Sequence, residues 1–228
     1  MLIKTRSFTR EDPERNATRI YIFCEGKDRE YHYFSRFVRI DSSLNLNVYE
    51  LKSDDNNSPN GLYNLAVKCL VKSDDNPDPQ YDDYREGEMV WIILDTDKDG
   101  HKGENSRASQ LVNVRQQCNA LNWSIAQSNP CFEVWLYYHQ ESQKPNFEDI
   151  EVSSKWKTFV GDIIKGGFDP RKHPVLIQTA ITNAENQFDI DQNGLPEIAT
   201  TEVFKLAQNI LSVGKIKEKI EHLLRGIG

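Results

Sequence analysis

The sequence of 228 residues lacks the features that mark several large classes of protein. Its longest apolar runs fall far short of the roughly 20 residues that a membrane-spanning helix needs. Its charged first segment contains no apolar stretch typical of a signal peptide, and no Walker A motif, internal repeat or low-complexity tract is present. We therefore expect a globular protein that does not enter a membrane and does not hydrolyse ATP through a Walker motif.

Cysteine is also scarce. The four cysteines are widely spaced and form neither a C-x-x-C motif nor a Cys/His pattern of the kind that binds zinc. Most of them lie among apolar residues, which favours buried, reduced thiols and a cytoplasmic location over a disulfide framework. They are Cys24, Cys69, Cys118 and Cys131.

The net charge of −7 does not by itself indicate nucleic-acid binding, but the charges are unevenly distributed. Residues 73–99 contain ten acidic residues and two basic ones, so the acidic excess is concentrated in one stretch. Basic residues cluster near the beginning of the chain and again after residue 150, where they either contact phosphates or face solvent. They include Lys4, Arg6, Arg10, Arg15 and Arg19, and later Lys155, Lys157, Lys165, Arg171 and Lys172.

The most informative segment covers residues 88–100, with the sequence EMVWIILDTDKDG. Residues 89–94 form an unbroken apolar run, which is typical of a strand buried on both faces in a parallel sheet. Asp95, Asp97 and Asp99 follow directly, at the edge where open α/β sheets place their ligands. Three carboxylates so close together repel one another unless a cation or hydrogen bonds compensate. Their oxygens suit Mg²⁺ or Mn²⁺.

Three interpretations of this acidic segment remain open. The acids could form a solvated turn after a core strand. They also match the first half of an EF-hand calcium loop, but Ser106 stands where that loop needs a glutamate, and a strand precedes the loop instead of a helix. The third interpretation is the D-x-D pair of a metal-dependent phosphoryl-transfer enzyme, which requires further carboxylates from other strand ends.

Glu25 and Glu133 are candidates for those further carboxylates. Glu25 follows the first β-rich run, RIYIFC, in a strand-to-helix turn like the one that contains Asp95. Glu133 lies in an otherwise apolar segment near the expected start of a helix, where an acid either joins the site or only stabilises the helix. Glu30, early in the first helix, is a secondary candidate, and Asp28 is expected to cap that helix.

Alternating strands and helices predict an α/β fold with a mostly parallel sheet flanked by helices. The expected strands cover residues 19–24, 47–51, 89–94 and 122–127, and the expected helices of this part cover residues 29–40, 61–72, 105–121 and 131–139. Beyond residue 140 we expect only helices, over residues 153–164, 174–187, 201–211 and 214–225. The predicted organisation is an N-terminal arm (1–17), an α/β core (18–140) and a helical C-terminal region (141–228) packed on the core.

Three segments together resemble the RloB-like family of phage-defence (abortive infection) proteins: RIYIFCEGKDREYHYF, IILDTDKDG and SNPCFEVWLYYH. The arrangement E-G-x-x-x-E-x-x-Y-F and the motif N-P-x-F-E-x-W-L are fairly specific in combination. Proteins of that family look like divergent Toprim nucleases. Toprim domains carry a glutamate in the first strand-to-helix turn and a D-x-D after a later strand. The resemblance covers residues 15–140 closely and the helical remainder more loosely.

The resemblance implies a Toprim-like, Rossmann-like core that acts as a metal-dependent nuclease on RNA, tRNA or DNA in antiphage defence, beside an ATPase partner. It implies the catalytic residues Glu25, Asp95 and Asp97, and Mg²⁺ or Mn²⁺ held by Glu25, Asp95, Asp97 and Asp99. We add Glu133 as a fourth catalytic candidate because of its position. Two alternatives remain open: a regulatory or nucleic-acid-binding subunit without strong catalysis, and a Toprim-type nucleotidyl transferase. Homo-oligomerisation is also left open.

Overall fold

The computed structural model of the chain describes residues 10–97 and 106–225. Their strands are β1 (Thr18–Cys24), β2 (Leu44–Tyr49), β3 (Met89–Asp95), β4 (Ser124–Asn129) and β5 (Thr200–Thr201). Their helices are α1 (Arg29–Ser35), α2 (Pro59–Leu70), α3 (Arg107–Ala120), α4 (Glu133–Tyr137), α5 (Ser153–Ile163), α6 (Ile177–Gln187), α7 (Val203–Leu211) and α8 (Ile216–Arg225), with a 3-10 helix at His173–Leu176. No helix in these two ranges is both long and apolar enough to cross a membrane.

The five strands form one sheet in the order β2-β1-β3-β4-β5. Strands β1 to β4 are parallel, and β5 pairs antiparallel with β4, where Ser128 lies opposite Thr201. Parallel neighbours need crossover connections, which α1, α2 and α3 supply between successive strands. Because β1 and β3 are neighbours, with Cys24 beside Ile93, the segments that follow these strands emerge side by side at one edge. The α/β fold with a mostly parallel sheet is therefore confirmed.

Two apolar layers cover opposite faces of the sheet. Side chains alternate along β1, so that Tyr21 and Phe23 join the layer formed with α2 and α3, and Ile20 and Ile22 join the other layer. That other layer is the larger one, because α1 and all the helices from α4 to α8 contribute to it. Burial on both faces explains the unbroken apolar runs of β1 and β3.

The C-terminal helices share this larger apolar layer with the sheet. Trp156 of α5 is fully buried, and its ring lies 5.7 Å from that of Tyr137 on α4 and 5.3 Å from that of Phe147. Its indole N–H donates a hydrogen bond to the carbonyl of Ile150 at 2.6 Å. The helical region therefore packs on the core, whereas the division into an arm, a core and a C-terminal region stays a prediction.

Several elements differ in detail from the sequence-based expectation. Helix α1 ends at Ser35 instead of residue 40, and Arg39 has a φ of 59°, which a right-handed helix does not admit. Asp28 occupies the N-cap position of α1, but its side chain makes no capping hydrogen bond within the described part of the chain. Strand β2 begins at Leu44, three residues before the expected start. The region after residue 140 contains β5 as well as helices. The sequence did not predict β5, because a strand of two residues is too short to leave a periodic pattern.

We expect Trp156→Ala to lower the free energy of unfolding by about 3–5 kcal/mol, the usual cost of truncating a large buried aromatic residue. Because the helical region and the sheet share one apolar layer, the variant and the wild type should each unfold in urea in a single transition, with fluorescence and circular dichroism changing together. Val112→Ala on α3 is the control: Val112 is 42% exposed, and its truncation should change stability by less than about 0.5 kcal/mol. Two separate transitions in the wild type would contradict the expectation of one cooperative unit.

Candidate active site

The carboxyl ends of β1 and β3 bring two of the predicted site residues into contact. Glu25 follows β1 directly, and its backbone N–H donates to the carbonyl of Ile93 in β3 at 3.1 Å. In return, the backbone N–H of Asp95 donates to Glu25 Oε2 at 3.0 Å. The Glu25 carboxylate is thus tied to the end of β3, in a position that follows from the pairing of β1 with β3.

A cleft of about 330 Å³ lies at this edge of the sheet. It contains all four predicted catalytic residues, Glu25, Asp95, Asp97 and Glu133. Glu133 is the acid in the first turn of α4, and its side chain is only 3% exposed, so it is a buried group of the cleft. Whether it takes part in a site or only stabilises the helix stays a prediction. Glu30, the secondary candidate in α1, also lines the cleft and is buried. Asp99, the remaining predicted metal ligand, lies outside the described residues.

Gly26 allows the buried Glu30 side chain to approach the turn after β1. A Cβ atom on Gly26 would overlap the carboxyl group of Glu30. Glu30 is 6% exposed, so its carboxyl group lies mostly inside the protein. Glycine at position 26 thus leaves room for the Glu30 carboxyl group, and the sequence E-G-x-x-x-E encodes a contact between its second and last residues.

Arg107, which the sequence analysis did not select, contacts both of the acids that the sheet brings together. It is the first residue of α3, and its guanidinium forms an ion pair with Glu25. It also donates to the main-chain carbonyl of Asp95, at 2.6 Å from Nη2 and 3.1 Å from Nε. Arg107 therefore offsets part of the negative charge of the cleft.

Arg29 and Ser153 hold two other acids. Arg29, at the start of α1, forms an ion pair with Glu133, and the hydroxyl of Ser153, at the start of α5, donates to the carboxylate of Asp97. One signal could have identified Arg29 and Arg107, because a helix that follows a parallel strand begins near the carboxyl end of that strand. Ser153 has no comparable signal, since α5 lies beyond the alternating pattern of strands and helices.

Burial alters the proton affinity of three of these acids. It raises the pKa of Asp95 well above its usual range, and the carboxylates of Glu30 and Glu25 raise that pKa further. Burial also raises the pKa of Glu30 to about 7, with a further contribution from Glu133. For Glu25, burial raises the pKa while the ion pair with Arg107 opposes the rise.

One oxygen of the cleft is left without a partner. Asp95 Oδ1 is shielded from solvent, and no group in the described ranges donates a hydrogen bond to it. Buried polar atoms in folded proteins are almost always paired, because an unpaired one costs free energy. The unpaired atom belongs to the acid that ends β3, the position at which the sequence analysis located its metal site.

The family model described as RloB-like protein matches residues 20–210 of the chain. The chain belongs to the RloB-like family. The match extends from β1 into α7, so it includes most of the helical region, where the sequence motifs gave only a loose resemblance. No match was found among curated proteins or among solved structures.

The donor chemistry of this RloB-like cleft fits a hard divalent cation, because carboxylate oxygens are the ligands that Mg²⁺ and Mn²⁺ prefer and Asp95 Oδ1 lacks a donor among the described groups. No three His, Cys, Asp or Glu side chains in the described ranges are grouped so that they could hold a metal ion as they stand. Of the four predicted ligands, Glu25, Asp95 and Asp97 line the cleft. Metal binding therefore stays a prediction.

The raised pKa of Glu30 generates a prediction about stability and pH. The pKa of Glu30 is about 7 in the folded protein and about 4.5 in the unfolded chain. Between these two pH values the folded protein binds more protons than the unfolded chain, so the free energy of unfolding falls as pH rises. In EDTA, the melting temperature should decrease from pH 5 to pH 8. Glu30→Gln should reduce this decrease and melt higher than the wild type at pH 8. Because the pKa values of Glu25 and Asp95 are raised as well, the melting temperature of Glu30→Gln should still decrease somewhat with pH.

Glu50→Gln serves as the control for this experiment, because Glu50 is exposed and does not line the cleft. Its melting temperature should follow the wild-type curve across the whole pH range. Equal slopes for wild type and Glu30→Gln would show that Glu30 does not take up a proton on folding.

Proposed function

We propose that this protein is a metal-dependent nuclease that cleaves phosphodiester bonds of nucleic acid. The observation that carries the proposal is the buried Oδ1 of Asp95, which has no donor in the described ranges and lies in a cleft with five other carboxylates. A bound divalent cation would satisfy that oxygen and offset the mutual repulsion of the acids. Carboxylate-bound Mg²⁺ is a recurrent element of phosphoryl-transfer sites.

The acids of the cleft divide into two roles in this proposal. Asp95 and Asp97 are the main ligands of the cation, supported by Glu133. When bound, Mg²⁺ or Mn²⁺ stabilises charge on the phosphate and lowers the pKa of a water molecule. Glu30, with a pKa of about 7, is suited to take up and return a proton near neutral pH. Glu25 either shares that proton transfer or supports the ligands, once its carboxylate is released from Arg107.

Basic residues beside the acids suit a substrate rich in phosphate. Lys27, Arg29 and Lys157 line the same cleft. Lysine binds phosphate oxygens as a point charge, and arginine binds them through paired N–H donors. A cleft that combines carboxylates for a cation with basic groups for phosphate matches the charges of a phosphodiester near a metal ion.

Membership of the RloB-like family supports a role in antiphage defence, with a Toprim-like core that carries Glu25 after its first strand and the D-x-D of Asp95 and Asp97 after its third. The sequence has no Walker A motif, so an ATPase activity in such a system would reside in a partner protein. The substrate is RNA, tRNA or DNA. Homo-oligomerisation stays a prediction.

A regulatory or nucleic-acid-binding role without catalysis is the second candidate, and a specific observation favours it. The ion pairs of Arg107 with Glu25 and of Arg29 with Glu133 already neutralise part of the cleft. An acidic cleft stabilised by internal arginines needs less compensation from a cation. Incubation with Mg²⁺ or Mn²⁺ and labelled DNA, total RNA and tRNA separates the candidates, since binding without product supports the second. Primer synthesis from nucleotides would instead indicate a nucleotidyl transferase.

Glu25→Gln and Asp95→Asn should each abolish metal-dependent cleavage in this assay, because each removes a charge from the site while preserving shape. The double variant should be no less active than either single variant, since residues that act as a unit fail together. The measurement is the rate of product formation with Mg²⁺ or Mn²⁺, with and without EDTA.

Asp82→Asn is the matched control for these variants. Asp82 is an exposed aspartate in the acidic loop before β3 and does not line the cleft. Its variant should retain wild-type cleavage. Cleavage at a near-normal rate by folded Asp95→Asn would refute the assignment of Asp95.

Metal binding can be tested separately through stability. A cation present at about a hundredfold its Kd stabilises the folded state by about 2.7 kcal/mol, which raises the melting temperature by several degrees for a chain of this size. Wild type should show this gain on addition of millimolar Mg²⁺ or Mn²⁺. Asp97→Asn should gain less, and in EDTA it should melt at the same or a higher temperature than the wild type because one repelling charge is gone. An identical gain in both proteins would locate the ion away from Asp97.

A further inference from the structure

A second cavity, of about 270 Å³, adjoins the acidic cleft. The two spaces share three lining residues, Asp28, Arg29 and Lys157. The second cavity therefore begins where the basic groups of the cleft end. A ligand bound at the acids could therefore reach the second cavity past Arg29 and Lys157.

The walls of this second cavity are mainly apolar, and its polar groups include those shared with the cleft. Leu136 of α4, Val160 of α5 and Phe168 form apolar wall. The Phe168 ring is held in place by other rings, since its centroid lies 5.2 Å from that of His139 and 5.0 Å from that of His173. Aromatic rings fixed in this way offer a surface for stacking. The cavity thus combines an anchored aromatic ring with charged groups at one side.

Gly161 also lines the cavity. It lies inside α5, where glycine is less favourable than alanine by about 1 kcal/mol. Its φ does not require glycine, and a Cβ atom built on it would meet nothing within 4 Å. A larger side chain at this position would thus fit without a backbone clash and would project from a residue that lines the cavity.

We propose that this second cavity binds one unpaired nucleobase of the nucleic-acid strand whose phosphate lies in the acidic cleft. This inference rests on the proposed nuclease function. Arg29 and Lys157, at the boundary between the two spaces, contact the phosphate, and the base enters beside Phe168. A cavity near the lower end of the range for small-molecule sites, about 300–1,000 Å³, suits a single ring system and excludes a base pair.

A base in this position must be free of its complementary strand. Single-stranded nucleic acids are bound in this manner elsewhere, through basic groups for the backbone and aromatic rings for the bases. The protein should therefore prefer single-stranded segments or loops over a continuous duplex. Stacking on an aromatic ring favours ligands that carry a base over those that do not, but it distinguishes little between different bases.

The test compares ligands that do and do not carry a base. The four ribonucleoside 5′-monophosphates and ribose 5-phosphate are titrated separately into the purified full chain in EDTA, with binding measured by calorimetry. At least one monophosphate should bind about tenfold more tightly than ribose 5-phosphate, in line with the contribution of base stacking. Gly161→Leu, which adds a bulky side chain to a residue that lines the cavity, should lose this preference.

Thr158→Leu is the matched control, because Thr158 is an exposed residue of the same helix that does not line the cavity. It should keep the wild-type preference, and circular dichroism should confirm that both leucine variants are folded. Equal affinity of the wild type for ribose 5-phosphate and for all four monophosphates would overturn the proposal, even if Gly161→Leu failed to fold. A preference that survives in folded Gly161→Leu would overturn it as well.

A cleavage assay separates failure of this inference from failure of the proposed function. The substrate is a single-stranded oligonucleotide, compared with the same strand carrying one abasic position beside the cleaved phosphate. Cleavage with the same KM for both strands would overturn the proposal of a base pocket but would still support the proposed nuclease function. Monophosphate preference without cleavage of any strand would support the pocket as a nucleotide site and reject the nuclease.

Discussion

The crowding of carboxylates at the end of a buried parallel sheet is the constraint on which this structure depends. The pairing of β1 with β3 brings Glu25 and Asp95 together, since Glu25 follows β1 and Asp95 ends β3. The backbone N–H of Glu25 donates to the carbonyl of Ile93, and that of Asp95 donates to the Glu25 carboxylate. Burial raises the pKa of both acids, so their ionised forms are disfavoured unless positive charge lies nearby. The surroundings must therefore provide positive charge, and within the described ranges Arg107 supplies part of it.

The apolar layers stabilise the fold and so offset the destabilising effect of such a site. An unpaired buried oxygen and several desolvated acids destabilise the folded state, by a few kcal/mol for groups of this kind. Layers of buried side chains on both faces of the sheet hold the strand ends in place despite that strain. This arrangement accords with the general observation that functional sites are maintained at the expense of stability.

Much of the fold follows from the sequence for a definite physical reason. The run of residues 89–94 has no polar alternation because β3 is buried on both faces, and the position of Asp95 follows from where that run stops. The proximity of Glu25 to Asp95 could be expected from the rule that parallel strands end at one edge. The partners of these acids could not be expected from the sequence. The contact of Ser153 with Asp97, for example, depends on how α5 packs against the core. Short features also escaped prediction, among them the two-residue β5.

The unequal composition of the two sheet faces has a consequence for synthesis on the ribosome. The face covered by α2 and α3 is complete once residue 129 has emerged, because every strand and helix that forms it lies earlier in the chain. The opposite face is completed only when α4 to α8 have been synthesised, and β4 pairs with β5 only when Thr200, 71 residues after Asn129, has emerged. A nascent chain at this stage presents an apolar sheet face and an open strand edge, the two features that invite aggregation. Nascent chains of this protein should therefore engage a chaperone through one face of the sheet only, the face that later receives the C-terminal helices.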